Sequence, residues 1–209
     1  MHRYTFRLTL LLFGFFGVLL MLIRTQPFDE QARYQRFVSE GCQAACFMGI
    51  QPGVTKVDEA LKLLEASPWI SAVDNRTINN VSGFISWKWS DQKPTWISGD
   101  IDGQIWASQT EIVNVVIYGD ILLGDTRLAL GSPDQEVIDS TEDRRGLLSL
   151  YTAFYGQMGL MIQSWQPCNV LEPLRRPVIV TIMAKADPKL FPERDTLAEL
   201  RHTCPIYKP

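Results

Sequence analysis

Residues 55–66 carry the clearest helical pattern in the chain. Their apolar side chains recur at i, i+3, i+4 and i+7 and form one stripe: Val57, Ala60, Leu61 and Leu64. Charged residues fill the other positions, Thr55 is placed to cap the N-terminus, and Pro68 ends the pattern. The sequence therefore predicts an amphipathic helix here.

Strand patterns dominate from residue 69 onward. Ile85, Trp87 and Trp89 alternate with polar residues, which indicates a strand with one apolar face. Asp102-Gly103 predicts a hairpin turn, because both residue types tolerate positive φ, between strands at 96–100 and 104–108. Further strand-like segments follow at 112–118, 136–139, 147–154, 160–165 and 178–184.

The predicted elements come in the order helix then strands, twice. A short helix begins at Gly124 and is stopped by Gly131 and Pro133, and a closing C-terminal helix runs from Asp195 to about His202. We therefore expect an α+β fold of helix-plus-antiparallel-sheet repeats with this closing helix. The domain covers 42–209, with possible repeats at 42–122 and 123–209.

The N-terminus contains an apolar run from Leu8 to Ile23, with Arg7 before it and Arg24 after it. Sixteen helical residues extend about 24 Å, and continuing back to Tyr4 reaches about 30 Å, the thickness of a bilayer core. We predict a signal anchor or transmembrane helix in 1–24, which contacts the membrane through residues 4–23. A cleaved signal peptide and a buried core helix are the alternatives.

An anchor of this kind also predicts a location. The basic residues at the N-terminus favour a cytoplasmic N-terminus in a single-pass protein of the cell membrane. A polar stalk over 25–41 would then lead to an extracytoplasmic domain at 42–209.

Charge limits the partners of this domain. The chain of 209 residues has a formal net charge of −3, and all 23 acidic residues follow residue 24. Nucleic-acid binding requires a basic surface, so we expect no nucleic-acid partner.

The four cysteines, Cys42, Cys46, Cys168 and Cys204, all follow the predicted anchor, and an even number in an oxidising compartment indicates two disulfides. Three pairings are possible. Closeness in sequence favours Cys42–Cys46 and Cys168–Cys204. A zinc site formed by these cysteines with His202 is the alternative.

Two short windows resemble known proteins. Gly124-Asp125-x-x-Leu128-x-Leu130-Gly131-x-Pro133-Asp134 resembles the helix-to-sheet turn of small bacterial envelope domains: the SmpA/OmlA outer-membrane assembly lipoproteins and the β-lactamase inhibitor protein. Gly49-Ile50-Gln51-Pro52-Gly53-x-Thr55-x3-Glu59-Ala60 resembles the opening of such a repeat. Cys-x3-Cys before this second window is also similar to uncharacterised bacterial membrane-anchored proteins. The resemblance implies a non-enzymatic protein of the bacterial envelope.

Residues for catalysis are scarce. His202 is the only histidine beyond residue 2, and no Gly-x-Ser-x-Gly, HExxH, P-loop or GxGxxG motif occurs. Asp100 and Asp102 could act as a carboxylate pair in a hydrolase, or could belong to a calcium loop that ends at Glu111. We predict no catalytic residue, metal site or cofactor, and we retain a secreted carboxylate-dependent hydrolase as the alternative function.

Tryptophan is abundant, and four residues lie close together in the strand region: Trp87, Trp89, Trp96 and Trp106. They either fill the space between sheet and helix or present a surface that binds a glycan, a peptide or a protein. Without a catalytic constellation, we predict a non-catalytic protein-binding or envelope-assembly module with an envelope protein as partner. These four tryptophans are the candidate binding residues.

Overall fold

The computed structural model describes residues 2–25, 42, 45–75, 82–108, 110–143, 146–168 and 173–184. The chain divides into two compact units, Met1–Arg33 and Tyr34–Pro209. Helix α1 (His2–Thr25) belongs to the first unit, and every other described element belongs to the second.

Helix α1 is where the prediction of a membrane anchor is corrected. In the part of the chain that the structure describes, no helix combines the length and the apolar character needed to cross a bilayer. The physical reason is the length of the apolar run, which ends at Arg7 and at Arg24 and extends only about 24 Å. The predicted transmembrane segment in 1–24, the membrane contact through 4–23 and the single-pass location with an extracytoplasmic domain are therefore wrong.

Eight antiparallel strands form one continuous sheet in the second unit, in the order β1-β2-β3-β4-β8-β7-β6-β5. The strands are β1 (Ile70–Asp74), β2 (Ser82–Trp89), β3 (Gly103–Ser108), β4 (Glu111–Leu122), β5 (Gln135–Asp143), β6 (Gly146–Tyr155), β7 (Leu160–Pro167) and β8 (Pro177–Met183). Each half is a four-stranded meander, and β4 pairs with β8 at the centre, where Ile117 lies opposite Val180. Helix α2 (Val57–Ala66) precedes β1, helix α3 (Leu123–Leu130) precedes β5, and a 3-10 turn (Pro173–Arg175) precedes β8.

The prediction of helix-plus-sheet repeats is also wrong. All eight strands share one sheet, and the two described helices of this unit differ in what they bury. Helix α2 buries Val57, Ala60 and Leu64, whereas the eight-residue α3 buries only Leu123 and Thr126. The predicted closing helix over 195–202 lies outside the described residues.

Both helices pack on the same face of the sheet, which we call the inner face. Buried side chains from α2 join those of alternate strand positions, such as Ile85, Trp87 and Ile105, in one core. Helix α3 approaches the same face through Arg127, whose guanidinium carbon lies 5.8 Å from the centre of the Tyr151 ring. We call the opposite side the outer face.

An aromatic cluster fills the α2 end of the inner face. Phe47 lies between Trp69, Trp87 and Trp89, with ring centres 6.1–6.4 Å apart. Trp87 is only 1% exposed, and its ring lies directly over Gly103, the residue opposite it on β3. A Cβ atom at Gly103 would come within 2.2 Å of the indole carbons, so this strand position requires glycine for close packing.

A disulfide joins Cys42 to Cys46, with Cα atoms 6.2 Å apart. Cys46 is buried beside this aromatic cluster, next to Phe47 in the chain. Cys168 is disulfide-bonded too, and Cys204, its predicted partner, lies outside the described residues.

Tyr151 gives the inner face a pH-dependent contribution to stability. Burial raises the pKa of Tyr151 to about 12, and the nearby Arg127 guanidinium acts in the opposite sense. The folded state therefore keeps the phenol proton at pH values where the unfolded state loses it. This contribution is present below pH 10 and is lost as the pH rises from about 10 to 12. Burial raises the pKa of Tyr155 in the same direction.

We expect Tyr151→Phe to weaken this alkaline loss of stability. The Tyr151 hydroxyl is buried and makes no hydrogen bond, so removing it leaves no partner unsatisfied near neutral pH. Between pH 9 and 12 the wild type should lose about 1–2 kcal/mol more than the variant, after allowance for solvent screening. Urea unfolding of both proteins at each pH measures the difference. If the free energy of unfolding fell equally with pH in both proteins, Tyr151 would not be the source of the alkaline loss of stability.

Candidate functional site

A row of side chains crosses four strands on the outer face. Phe84 on β2 lies opposite Trp106 on β3, Trp106 opposite Asn114 on β4, and Asn114 opposite Met183 on β8. Directly paired residues of antiparallel strands point to the same side of a sheet, so these four side chains are neighbours. They lie on the side that α2 and α3 leave uncovered.

Trp106 is the prominent member of this row, because the residue is 52% exposed. Its ring centre lies 5.7 Å from that of Phe84, at an interplanar angle of 41°. Val113, 43% exposed, is the extra residue of a β-bulge, since Trp106 pairs with Asn114 while the next residue, Ala107, pairs with Ile112. We call Phe84, Trp106, Val113 and Asn114 the Trp106 patch.

Asn114 contributes a polar atom to this patch. Its side-chain oxygen Oδ1 is buried and makes no hydrogen bond. Amide oxygens in this situation are uncommon in folded proteins, because loss of hydration without a replacement donor costs about 1–3 kcal/mol. The patch thus combines an exposed indole with an adjacent acceptor that is buried out of reach of solvent and lacks a donor.

A pocket of about 360 Å³ adjoins the patch along β1, β2 and the start of β3. Asp74, Ser86, Lys88 and Asp102 are among its lining residues, and Asp74 pairs with Ser86 two positions from Phe84. Asp102 lies four residues before Trp106, about 13 Å along an extended chain. We call this concavity the acidic pocket.

Elsewhere on the outer face, some side chains are buried. Phe154 on β6 and Thr181 on β8 are only 4% and 3% exposed. Register through β8 and β7 places Trp165, 44% exposed, on the outer face as well, roughly 25 Å from Trp106. The accessible aromatic surface near the sheet centre is therefore the Trp106 patch.

The four tryptophans singled out from the sequence occupy different environments. Trp87 is buried on the inner face, and half-buried Trp89 donates a hydrogen bond from Nε1 to the carbonyl oxygen of Ile101 over 3.0 Å. Trp96 is half-buried in the loop before β3, where its carbonyl oxygen accepts the Asp120 backbone N–H. Trp106 alone of these four presents a largely exposed ring.

Asp100 and Asp102, predicted as a pair, are separated by their surroundings. Asp102 lines the acidic pocket with Asp74, whereas Asp100 is outside that lining. Within the described residues, no cluster of three or more His, Cys, Asp or Glu side chains is placed to hold a metal ion. His202, proposed with the cysteines as a zinc ligand, lies outside them.

A second concavity of about 580 Å³ lies between α3 and the 3-10 turn. Its rim carries two exposed leucines, Leu128 and Leu174, and two arginines, Arg127 and Arg175. Arg127 forms an ion pair with Glu136 and contacts the Tyr151 ring. The Arg127 side chain is therefore engaged within the fold.

Sequence reasoning missed three of the four residues of the Trp106 patch. Phe84 could have been found, because it lies at the alternate positions of β2 and so faces the side opposite to Ile85 and Trp87. Val113 and Asn114 gave no signal, since a bulge shifts their pairing within an apolar run.

No protein-family profile, curated protein or solved structure matches the chain. The resemblance to bacterial envelope domains accordingly rests on its two short sequence windows alone.

Proposed function

We propose that this chain is a non-catalytic binding module that contacts a protein partner through the Trp106 patch. The observation that carries the proposal is the exposure of Trp106, 52%, on a sheet face that neither α2 nor α3 covers. Exposed aromatic side chains beside apolar neighbours are typical of the energetic centres of protein interfaces.

Two further observations support a binding surface over a hydrolytic one. The patch combines the exposed Trp106 with the exposed Val113, so it offers adjoining apolar area of the kind that the core of a protein interface buries. The carboxylates proposed for hydrolysis, Asp100 and Asp102, do not share a pocket lining.

Site-specific photo-crosslinking in cells that naturally express the chain tests this proposal. A benzophenone amino acid replaces Val113 or Gln104, which flank Trp106, and mass spectrometry identifies the adducts. We expect the same partner protein from both positions. Adding Trp106→Ala should lower the adduct yield about tenfold or more, because the indole would be an interface anchor.

Matched control positions are available away from the patch. Leu128 and Leu174 are 67% and 50% exposed, so a crosslinker there samples the solvent at least as well as one at Val113. Two results would show that the patch is not the contact surface. One is an equal yield of adducts to that partner from the control positions. The other is an adduct yield at Val113 or Gln104 that Trp106→Ala does not change.

A further inference from the structure

Trp106 has the chemistry to bind a cation. The face of an indole ring carries negative electrostatic potential and attracts cations, and the planar guanidinium of arginine also stacks on it. Trp106 is 52% exposed with the Phe84 ring beside it, so it can offer its ring to an incoming side chain.

Arginine suits this surface better than lysine, because its guanidinium is a flat cation that can stack on the face of the indole. Asn114, directly opposite Trp106, keeps its side-chain oxygen Oδ1 buried out of reach of solvent, so stacking on Trp106, and not a hydrogen bond to Oδ1, carries the preference.

The acidic pocket extends this preference along the sheet. Two of its three charged lining residues are acidic, Asp74 and Asp102 against Lys88, and Asp102 lies about 13 Å from Trp106 along an extended chain. In an extended peptide, side chains two and four residues apart on one side are separated by about 7 and 13 Å, so a second basic residue can reach the pocket. The net charge of −3 also favours approach of a basic partner.

We propose that the Trp106 patch and the acidic pocket together bind a basic polypeptide segment of the partner, with an arginine side chain stacked on Trp106. The inference rests on the proposed function, to which it adds the chemistry of the partner. It assigns the neighbouring carboxylates to charge recognition.

Short synthetic peptides that alternate arginine with serine are the probe, with lysine and citrulline versions for comparison. Citrulline keeps the planar shape of arginine and three of its five N–H donors, but a carbonyl oxygen replaces one nitrogen and the group has no charge. Isothermal titration of the full chain should give saturable binding of the arginine peptide, several-fold weaker binding of the lysine peptide and no saturable binding of the citrulline peptide. Raising the salt from about 50 to 300 mM should weaken arginine binding several-fold.

Variants separate the two parts of the site. We expect Trp106→Ala to weaken arginine-peptide binding about tenfold or more, and Asp102→Asn to weaken it several-fold and reduce its salt dependence. Asp100→Asn changes the net charge equally but lies outside the pocket lining, and Trp165→Ala removes a distant tryptophan of the same face. Both controls should bind like the wild type.

The outcomes distinguish this inference from the function on which it rests. Equal binding of citrulline and arginine peptides, or binding unaffected by Trp106→Ala, overturns the inference. So does binding of a neutral oligosaccharide at Trp106 in place of the peptides. If a partner crosslinks at Val113 but arginine peptides do not displace it, the proposed binding module is supported and the basic character of its partner is refuted. If neither a crosslinked partner nor saturable peptide binding is observed, the proposed binding module itself is refuted.

Discussion

Replacing Gly103 with alanine is expected to lower the free energy of unfolding by about 3 kcal/mol, the upper part of the range for overpacking a core. The new Cβ would lie 2.2 Å from Cε2 and Cζ2 of Trp87, a distance that no rotamer of alanine can relieve. Trp87 is 1% exposed and confined by Phe47 and Trp89, so its indole has no room to move aside. Urea unfolding monitored by circular dichroism measures the loss.

Two comparisons identify overpacking as the cause. Gly99→Ala places a Cβ 2.7 Å from Cε of Lys93, the flexible part of a side chain that can swing away, so its effect should stay within about 0.5 kcal/mol. In a Trp87→Phe background the smaller ring leaves space, and the added cost of Gly103→Ala should fall below about 1 kcal/mol. An equal cost in both backgrounds would place the strain elsewhere.

Leu64→Ala should cost about 2–4 kcal/mol, because Leu64 is fully buried where α2 packs on the sheet. The substitution removes contacts and leaves a cavity that neighbouring strands fill only in part. The same leucine-to-alanine change at Leu128 on α3, which is 67% exposed, should stay within about 0.5 kcal/mol. Thermal and urea unfolding of the two variants compare a buried and an exposed leucine on described helices of one unit. Similar losses would mean that α2 does not anchor the core.

The elements that sequence predicts well are those determined by local periodicity. The helix predicted over 55–66 is observed as Val57–Ala66, and the apolar alternation of Ile85 and Trp87 does mark the inner face of β2. The predicted cap differs: Thr55 is buried, its Oγ1 accepts the Gln51 backbone N–H over 2.8 Å, and Lys56 occupies the cap position without a side-chain hydrogen bond. Local signals thus placed the helix but not its first turn.

The predicted hairpin at Asp102-Gly103 is wrong for a tertiary reason. No described strand precedes this pair at 96–100, where Ile97 forms only an isolated bridge with Gly119. Gly103 lies opposite Trp87 and begins β3, so the glycine serves close packing. Sequence alone does not distinguish a glycine that permits a turn from one that makes room for a ring.

The candidate site was predictable only in part. Trp106 was among the four tryptophans chosen from the sequence, but its exposure depends on the register that places it opposite Phe84, away from α2 and α3. The bulge at Val113 and the buried Oδ1 of Asn114 arise when strands distant in sequence meet. The helix-plus-sheet repeats were predicted from element order, which carries no information on whether the two halves share one sheet.

The pairing of β4 with β8 at the centre of the sheet has a consequence for synthesis. β4 is complete at Leu122, but its partner is complete only at Met183, about 60 residues later. At typical elongation rates the ribosome needs roughly 3–12 s to make that stretch. During this time the edge of β4 that will pair with β8 has no strand beside it. The nascent first half therefore passes through an interval of exposure to aggregation and chaperone binding that ends when the last strand arrives.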